Sequence, residues 1–166
     1  MKKNIRLISD FNLDTFYNFL SQKIDCKKYK LLKPNFGLFY DKCFELIKSK
    51  NRNYAIFIWS KIEGVLKNFH SLIANENVNL KTLYEEVDEY INILTQLATK
   101  TDYLIINAWS LPENERGKYL NDYTDDLGLS KNINLINTKI SNQLKKEKNI
   151  IYLNIDFWIK HYNFNY

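Results

Sequence analysis

The sequence predicts an α/β protein, a three-layer α/β/α sandwich around a five-stranded, mostly parallel sheet. Short apolar runs rich in β-branched and aromatic residues alternate along the chain with longer segments whose apolar residues recur at helical spacing. This alternation is typical of a parallel sheet with helices on both faces. A chain of 166 residues has the length of one domain, so we treat residues 1–166 as a single domain.

Five runs predict the strands of this sheet. The run YAIFIWS has the strongest β-propensity and predicts a central strand. Pro34 helps to end the second strand, because proline cannot donate a ladder hydrogen bond. The predicted strands cover residues 4–9, 28–35, 54–60, 102–110 and 149–154.

Helical spacing of apolar residues predicts the segments between the strands. The longest predicted helix carries a continuous apolar stripe, which indicates that one face is buried. Gly64 interrupts another helix early, and residues 111–130 are irregular. The predicted helices cover residues 13–24, 37–49, 62–73, 80–100, 134–148 and 156–162.

Composition excludes several classes of function. The net charge is +5, but only three of the 24 basic residues are arginine, the residue preferred for contacts to phosphates and bases. We therefore expect no nucleic-acid partner. No apolar run reaches the roughly 20 residues of a membrane helix, and the first residues lack the cleavage site of a signal peptide, so we expect a cytoplasmic protein.

The two cysteines do not form a metal or redox motif. Cys26 and Cys43 lie 17 residues apart, with no CxxC and no adjacent histidine. Zinc sites and redox pairs need closer ligand spacing. We expect two isolated thiols, no metal and no cofactor.

In open parallel sheets, ligands bind beyond the carboxyl ends of the strands, near the point where the strand order reverses. Polar residues and tryptophans follow four of the predicted strands. They are Ser9 to Asn12, Trp59–Ser60, Asn107 to Ser110, and Asn154 to Asp156. This edge is the predicted site.

Two known catalytic patterns fit the predicted site incompletely. The D-x-D-x-T/V motif of haloacid-dehalogenase phosphatases would begin at Asp10, but Asn12 stands where the second Asp belongs, and no later acidic pair is placed to hold magnesium. In SGNH/GDSL esterases a Ser follows the first strand, and this chain offers Ser9, Asn107 and Asp156. The D-x-x-H motif is not met, because His161 lies five residues after Asp156.

A serine without a histidine in reach is a poor nucleophile. The other histidine, His70, falls in the middle of a predicted helix. The opening turn also has a simpler interpretation, in which Asn12 or Asp10 caps the first helix. Both interpretations of the turn stay open from the residues alone.

Several segments resemble the N-terminal, SGNH-like domain of FkbH-like proteins of the HAD-IIIC class, which have an SGNH-hydrolase/flavodoxin-like fold. The opening LISDFNLDTF is similar to the start of that family. Further matching segments are Trp59–Ser60, Glu86 to Tyr90, Ala108 to Pro112, Arg116–Gly117, Ile136 to Ile140 and Ile151 to Trp158. The resemblance covers almost the whole chain, although the phosphatase-like domain of the family is absent from these residues.

The resemblance implies a role in acyl or glyceryl transfer, in polyketide or surface-polysaccharide biosynthesis. The implied partners are an acyl carrier protein or a phosphopantetheine-linked substrate, and a phosphatase-like domain. Arg116 suits a phosphate, Asn12 and Asn107 suit a carbonyl, and Asp10 and Asp156 suit hydroxyl groups. The candidate catalytic residues are Ser9, Asn107 and Asp156, and the candidate binding residues are Asp10, Asn12, Trp59, Trp109, Arg116 and Asn137.

Three functions therefore stay open. The first is a non-hydrolytic domain that assists acyl or glyceryl transfer. The second is an esterase or acyltransferase that uses Ser9 as nucleophile. The third is a docking module for a carrier protein, because carrier proteins are usually acidic and this chain is rich in lysine.

Overall fold

The computed structural model describes residues 2–34, 39–73, 78–111 and 126–155. Its strands are β1 Lys3–Ile8, β2 Tyr29–Leu32, β3 Asn53–Ile58, β4 Thr101–Asn107 and β5 Ile150–Leu153. Its helices are α1 Asp14–Lys23, α2 Phe39–Lys48, α3 Ile62–Val65, α4 Lys67–Ile73, α5 Leu80–Ala98 and α6 Leu129–Leu144.

The five strands form one sheet in the order β2-β1-β3-β4-β5, and every neighbouring pair is parallel. The predicted three-layer α/β sandwich is confirmed. The strand order reverses between β1 and β3, because β2 lies on one side of β1 and all later strands lie on the other. Right-handed crossovers then place α1 on one face of the sheet and the later helices on the opposite face.

The main hydrophobic core lies between the sheet and helices α2 to α6. Ile56, Ile58, Leu104 and Ile106 of the two central strands are fully buried there. They pack with the apolar faces of the helices, to which α5 contributes most. On the other face, Phe16 of α1 packs against the sheet, with its ring centroid 5.6 Å from that of Phe57.

Two helices differ from the sequence prediction. The helix predicted over 62–73 is divided at Leu66, whose backbone is extended and whose side chain is fully buried. Helix α6 begins five residues earlier than predicted. Polar contacts stabilise its first turn, since the Asn132 amide donates to the carbonyl oxygens of Asp126 and Gly128 at 2.9 and 2.8 Å.

The predicted terminal helix over 156–162 lies outside the described residues. In the described part of the chain, no helix combines the length and the apolar character needed to cross a membrane.

Candidate functional site

The sheet brings the predicted site residues to one edge. Ser9 and Asp10 follow β1, Trp59 and Ser60 follow β3, and Asn107 is the last residue of β4. Since the strand order reverses between β1 and β3, the ligand crevice expected of this topology lies between the turns that follow these two strands.

The turn after β1 is stabilised by its own side chains. The Ser9 hydroxyl oxygen accepts a hydrogen bond from the Phe11 backbone N–H at 3.1 Å, and this is its one hydrogen bond within the described ranges. Asn12 Oδ1 accepts from the Asp14 N–H at 2.7 Å, at the first residue of α1. The N-cap position itself is Leu13, which has no side-chain cap. Asn12 thus binds the first turn from one residue before the cap, and the predicted capping by Asn12 or Asp10 is wrong in position.

Asp10 instead joins the two turns of the crevice. Its carboxylate accepts the Lys61 backbone N–H, at 3.1 Å from Oδ1 and 3.3 Å from Oδ2, and it lies against Gly64 of α3. Burial raises the pKa of Asp10 above its ordinary value, and the hydrogen bond from Lys61 opposes that rise. Asp10 is the half-buried acidic group at the switch point.

Trp59 forms an aromatic cluster on the α1 face of the sheet. Its ring meets Phe16 edge to face at 4.9 Å between centroids, and Phe11 at 6.3 Å. The Lys61 ammonium lies 5.7 Å from the centroid of the Phe11 ring. The crevice thus has an aromatic side with a cation beside it.

Asn107 binds the backbone of Ser60 at both polar groups. Its Oδ1 accepts from the Ser60 N–H, and its Nδ2 donates to the Ser60 carbonyl oxygen, each at 3.0 Å. A longer contact of 3.3 Å joins Nδ2 to the Ala108 carbonyl oxygen. The amide of Asn107 is therefore engaged in holding the turn after β3 to the end of β4.

Asn137 of α6 holds Trp109 in the same way. Its Oδ1 accepts from the Trp109 N–H at 3.0 Å, and its Nδ2 donates to the Trp109 carbonyl oxygen at 2.7 Å. The Tyr152 hydroxyl of β5 donates to the same Oδ1 at 2.6 Å. Asn107 and Asn137 thus supply hydrogen-bond partners for the backbone groups of Ser60 and Trp109, which lie beyond the ends of β3 and β4.

The Trp109 side chain belongs to the main core. It is 4% exposed and stacks on Tyr90 of α5 at 5.0 Å between ring centroids. Its Nε1–H donates to the buried Ser60 hydroxyl at 3.2 Å. Burial raises the pKa of Tyr90 well above its ordinary value. Trp59 and Trp109 consequently lie on opposite faces of the sheet.

Several participants in this arrangement were not singled out from the sequence. The sequence indicates Gly64 as a helix interruption and Tyr90 as one member of an apolar stripe. Nothing in the sequence pattern points to Lys61 or Tyr152. A signal for Gly64 exists, because a glycine inside a helical pattern weakens the helix and often has a packing reason. No local pattern identifies Tyr152 as the partner of Asn137.

Arg116, Asp156 and His161 lie outside the described residues, and His70 is exposed on α4. Within the described ranges no group of three or more His, Cys, Asp and Glu side chains is arranged to hold a metal ion. The turns after β1 and β3 together carry a hydroxyl, a carboxylate, a cation and an aromatic surface. These groups suit binding of a ligand with polar and apolar parts.

The fold and the crevice define a class: three-layer α/β domains with a parallel 2-1-3-4-5 sheet and polar groups at its carboxyl edge. A solved structure with a similar fold is the N-terminal part of the protein BF1531 from Bacteroides fragilis, described as containing a phosphatase domain complexed with Mg. The two chains share 12% sequence identity with a TM-score of 0.66, and the match covers 97% of this chain. This likeness shows the fold.

The chain spans 42% of the length of that solved neighbour. No protein-family model and no curated protein matches the sequence.

Proposed function

We propose that this chain is the SGNH-like domain of an FkbH-like protein, which assists acyl or glyceryl transfer involving an acyl carrier protein without catalysing hydrolysis. Polyketide or surface-polysaccharide biosynthesis is the setting in which such a transfer takes place. The structural neighbour supports the first part of the proposal, since it is the N-terminal part of a protein and is described as containing a phosphatase domain.

The hydrogen bonds of the Asn107 amide support the non-hydrolytic part of the proposal. An asparagine that stabilises an oxyanion must point an amide N–H at the reacting carbonyl. Here the Asn107 amide donates to the carbonyl oxygens of Ser60 and Ala108. The Ser9 hydroxyl has no base within hydrogen-bonding distance among the described residues. These two observations favour a role in binding and positioning a group over a role in hydrolysis.

A second candidate function is an esterase or acyltransferase that uses Ser9. The position of Ser9 favours it, because the residue directly follows β1 at the point where the strand order reverses. Asp156, which this candidate needs as part of the catalytic set, stays a prediction from the sequence.

The two functions are separated by an activity assay and a labelling assay. The assays compare wild type, Ser9→Ala and a control, Ser21→Ala. Ser21 lies on the exposed face of α1. Each protein is assayed for hydrolysis of p-nitrophenyl acetate and of an acyl thioester, and for labelling by a fluorophosphonate. We expect no turnover and no label in any of the three. Turnover and labelling that disappear only in Ser9→Ala would establish the esterase instead.

The carrier-protein part of the proposal is tested by titrating a fluorescent holo-acyl carrier protein with wild type and following its anisotropy. We expect saturable binding that weakens as salt is added, because steering between a basic and an acidic protein is screened by ions.

A further inference from the structure

The positive charge of the chain is concentrated in its first 34 residues. That segment holds eight of the 24 basic residues but three of the 19 acidic ones, so its net charge of +5 equals that of the whole chain. The remaining residues carry equal numbers of the two signs. A genome-wide codon bias would enrich lysine along the whole chain and would not concentrate the excess positive charge in one segment.

The fold gathers most of these cations at one side of the sheet. Strand β2 is an edge strand that pairs with β1 alone among the described strands. We define the basic edge as Lys27, Lys28, Lys30, Lys33 and Arg6. All four lysines are exposed, and Arg6 lies beside Leu32 of β2 in the sheet register.

The lysines of the basic edge lack close acidic partners. One ion pair involves them in the described part of the chain, between Lys28 and Asp25 at a loose 3.8 Å. Some lysines elsewhere make closer pairs, such as Lys131 with Asp126 at 2.7 Å and Lys139 with Asp88 at 2.8 Å. The field of the basic edge is therefore not cancelled by neighbouring carboxylates.

The two described arginines, Arg6 and Arg52, differ in whether their guanidinium groups have partners within the protein. The guanidinium of Arg52 donates to Asp102 and to the carbonyl oxygens of Thr99 and Thr101, each at 2.9 Å. Arg6 Nε is buried and donates to no group within the described ranges. Unlike Arg52, Arg6 makes no ion pair within the described ranges, so its positive charge adds to that of the nearby lysines.

We propose that the basic edge is the docking surface for an acidic protein, which, resting on the proposed function, is the acyl carrier protein. The four residues of β2 span about 13 Å, which matches one helix of a small partner. Uncompensated lysines steer such a partner and orient it. Nucleic acid is less suited, since specific readers use several arginines and this surface has one.

The test compares two variants with the same change in net charge. The first replaces Lys27, Lys28, Lys30 and Lys33 with Gln. The control replaces Lys48, Lys50, Lys145 and Lys146, which are also exposed and make no ion pair in the described part of the chain. Circular dichroism confirms that both are folded. A fluorescent holo-acyl carrier protein is titrated with each at low salt, and a single-stranded DNA oligonucleotide serves as the second probe.

We expect the basic-edge variant to bind the carrier protein at least about tenfold more weakly than wild type, and the control to stay within about twofold. Arg6→Gln alone weakens binding, and Arg52→Gln does not. Equal binding by both lysine variants would overturn the docking surface while leaving the carrier-protein function standing. Absence of carrier binding by wild type would overturn both.

Two further outcomes would also overturn the proposal. DNA binding that is lost only in the basic-edge variant, without carrier binding, would assign the surface to nucleic acid. Self-association of the basic-edge variant with unchanged carrier affinity would show that the lysines only guard an edge strand against pairing with another chain.

Discussion

The carboxylate of Asp10 lies directly against the Cα of Gly64. This contact joins the turn after β1 to helix α3. A Cβ at position 64 would lie 2.6 Å from Asp10 Cγ, well inside van der Waals contact. The same carboxylate accepts the Lys61 N–H at 3.1 Å. Both sides of the crevice therefore depend on one acidic side chain and on the absence of a side chain opposite it.

We expect Gly64→Ala to lower the free energy of unfolding by about 1–3 kcal/mol, because the added methyl group forces the Asp10 carboxylate or α3 to move. Urea denaturation followed by circular dichroism measures the change. The control is the same substitution in an Asp10→Ala background. There the carboxylate is gone and the nearest remaining contact is the Cβ of residue 10 at 3.0 Å. Alanine is also favoured over glycine in a helix by up to about 1 kcal/mol, so we expect a clearly smaller loss than in wild type. An equal loss in both backgrounds would contradict the contact.

The raised pKa of Asp10 predicts a pH dependence of stability. Burial places the folded-state pKa above the ordinary value of 3.8. As the pH falls from neutral, the native state takes up the proton before the unfolded state does, so this group increases stability until the pH reaches the unfolded pKa. The free energy of unfolding of wild type minus that of Asp10→Asn should therefore increase as the pH is lowered from about 7 to about 4. A difference that falls over this range would refute the assignment.

The contacts of Asn107 predict a large cost for its removal. Asn107→Leu keeps the approximate shape but leaves the Ser60 N–H and carbonyl without their partner, at about 1–3 kcal/mol for each buried group. Asn12→Ala removes an exposed bond at the start of α1 and should cost about 1 kcal/mol. Thermal and urea unfolding of the two variants give the comparison, and equal losses would argue against the Asn107 clamp.

The two thiols should differ in reactivity. Cys26 is exposed, whereas Cys43 is fully buried and its pKa is raised to about 12 by burial. We expect a thiol reagent such as DTNB to label one cysteine of the folded protein rapidly at neutral pH and the second only after unfolding. In Cys26→Ser the rapid phase should disappear. Rapid labelling that persists in this variant would place Cys43 at the surface.

The sequence predicted the order and the kinds of the described elements, and strand ends within three residues of those observed. It missed the division at Leu66, because an apolar residue continues a helical pattern whatever its backbone conformation. It also missed the first turn of α6, since that turn is held by Asn132 through side-chain hydrogen bonds that apolar periodicity does not record.

For the predicted site, too, the sequence predicted where the residues lie but not which groups they contact. Ser9, Asn107 and the two tryptophans were expected at the carboxyl edge, and each lies there. Their partners were not predicted. Asn107 binds Ser60, 47 residues away, and Trp109 binds Asn137, 28 residues away. Pairings across such separations depend on how the strands and helices pack.

By itself, the sequence determined the parallel α/β architecture and the polar residues at the carboxyl ends of its strands, because strand alternation and helical periodicity are local properties of the chain. Tertiary structure alone decided which of those polar groups are engaged internally and which face of the sheet each tryptophan occupies. These features arise from strand order, which brings together residues that no local pattern relates.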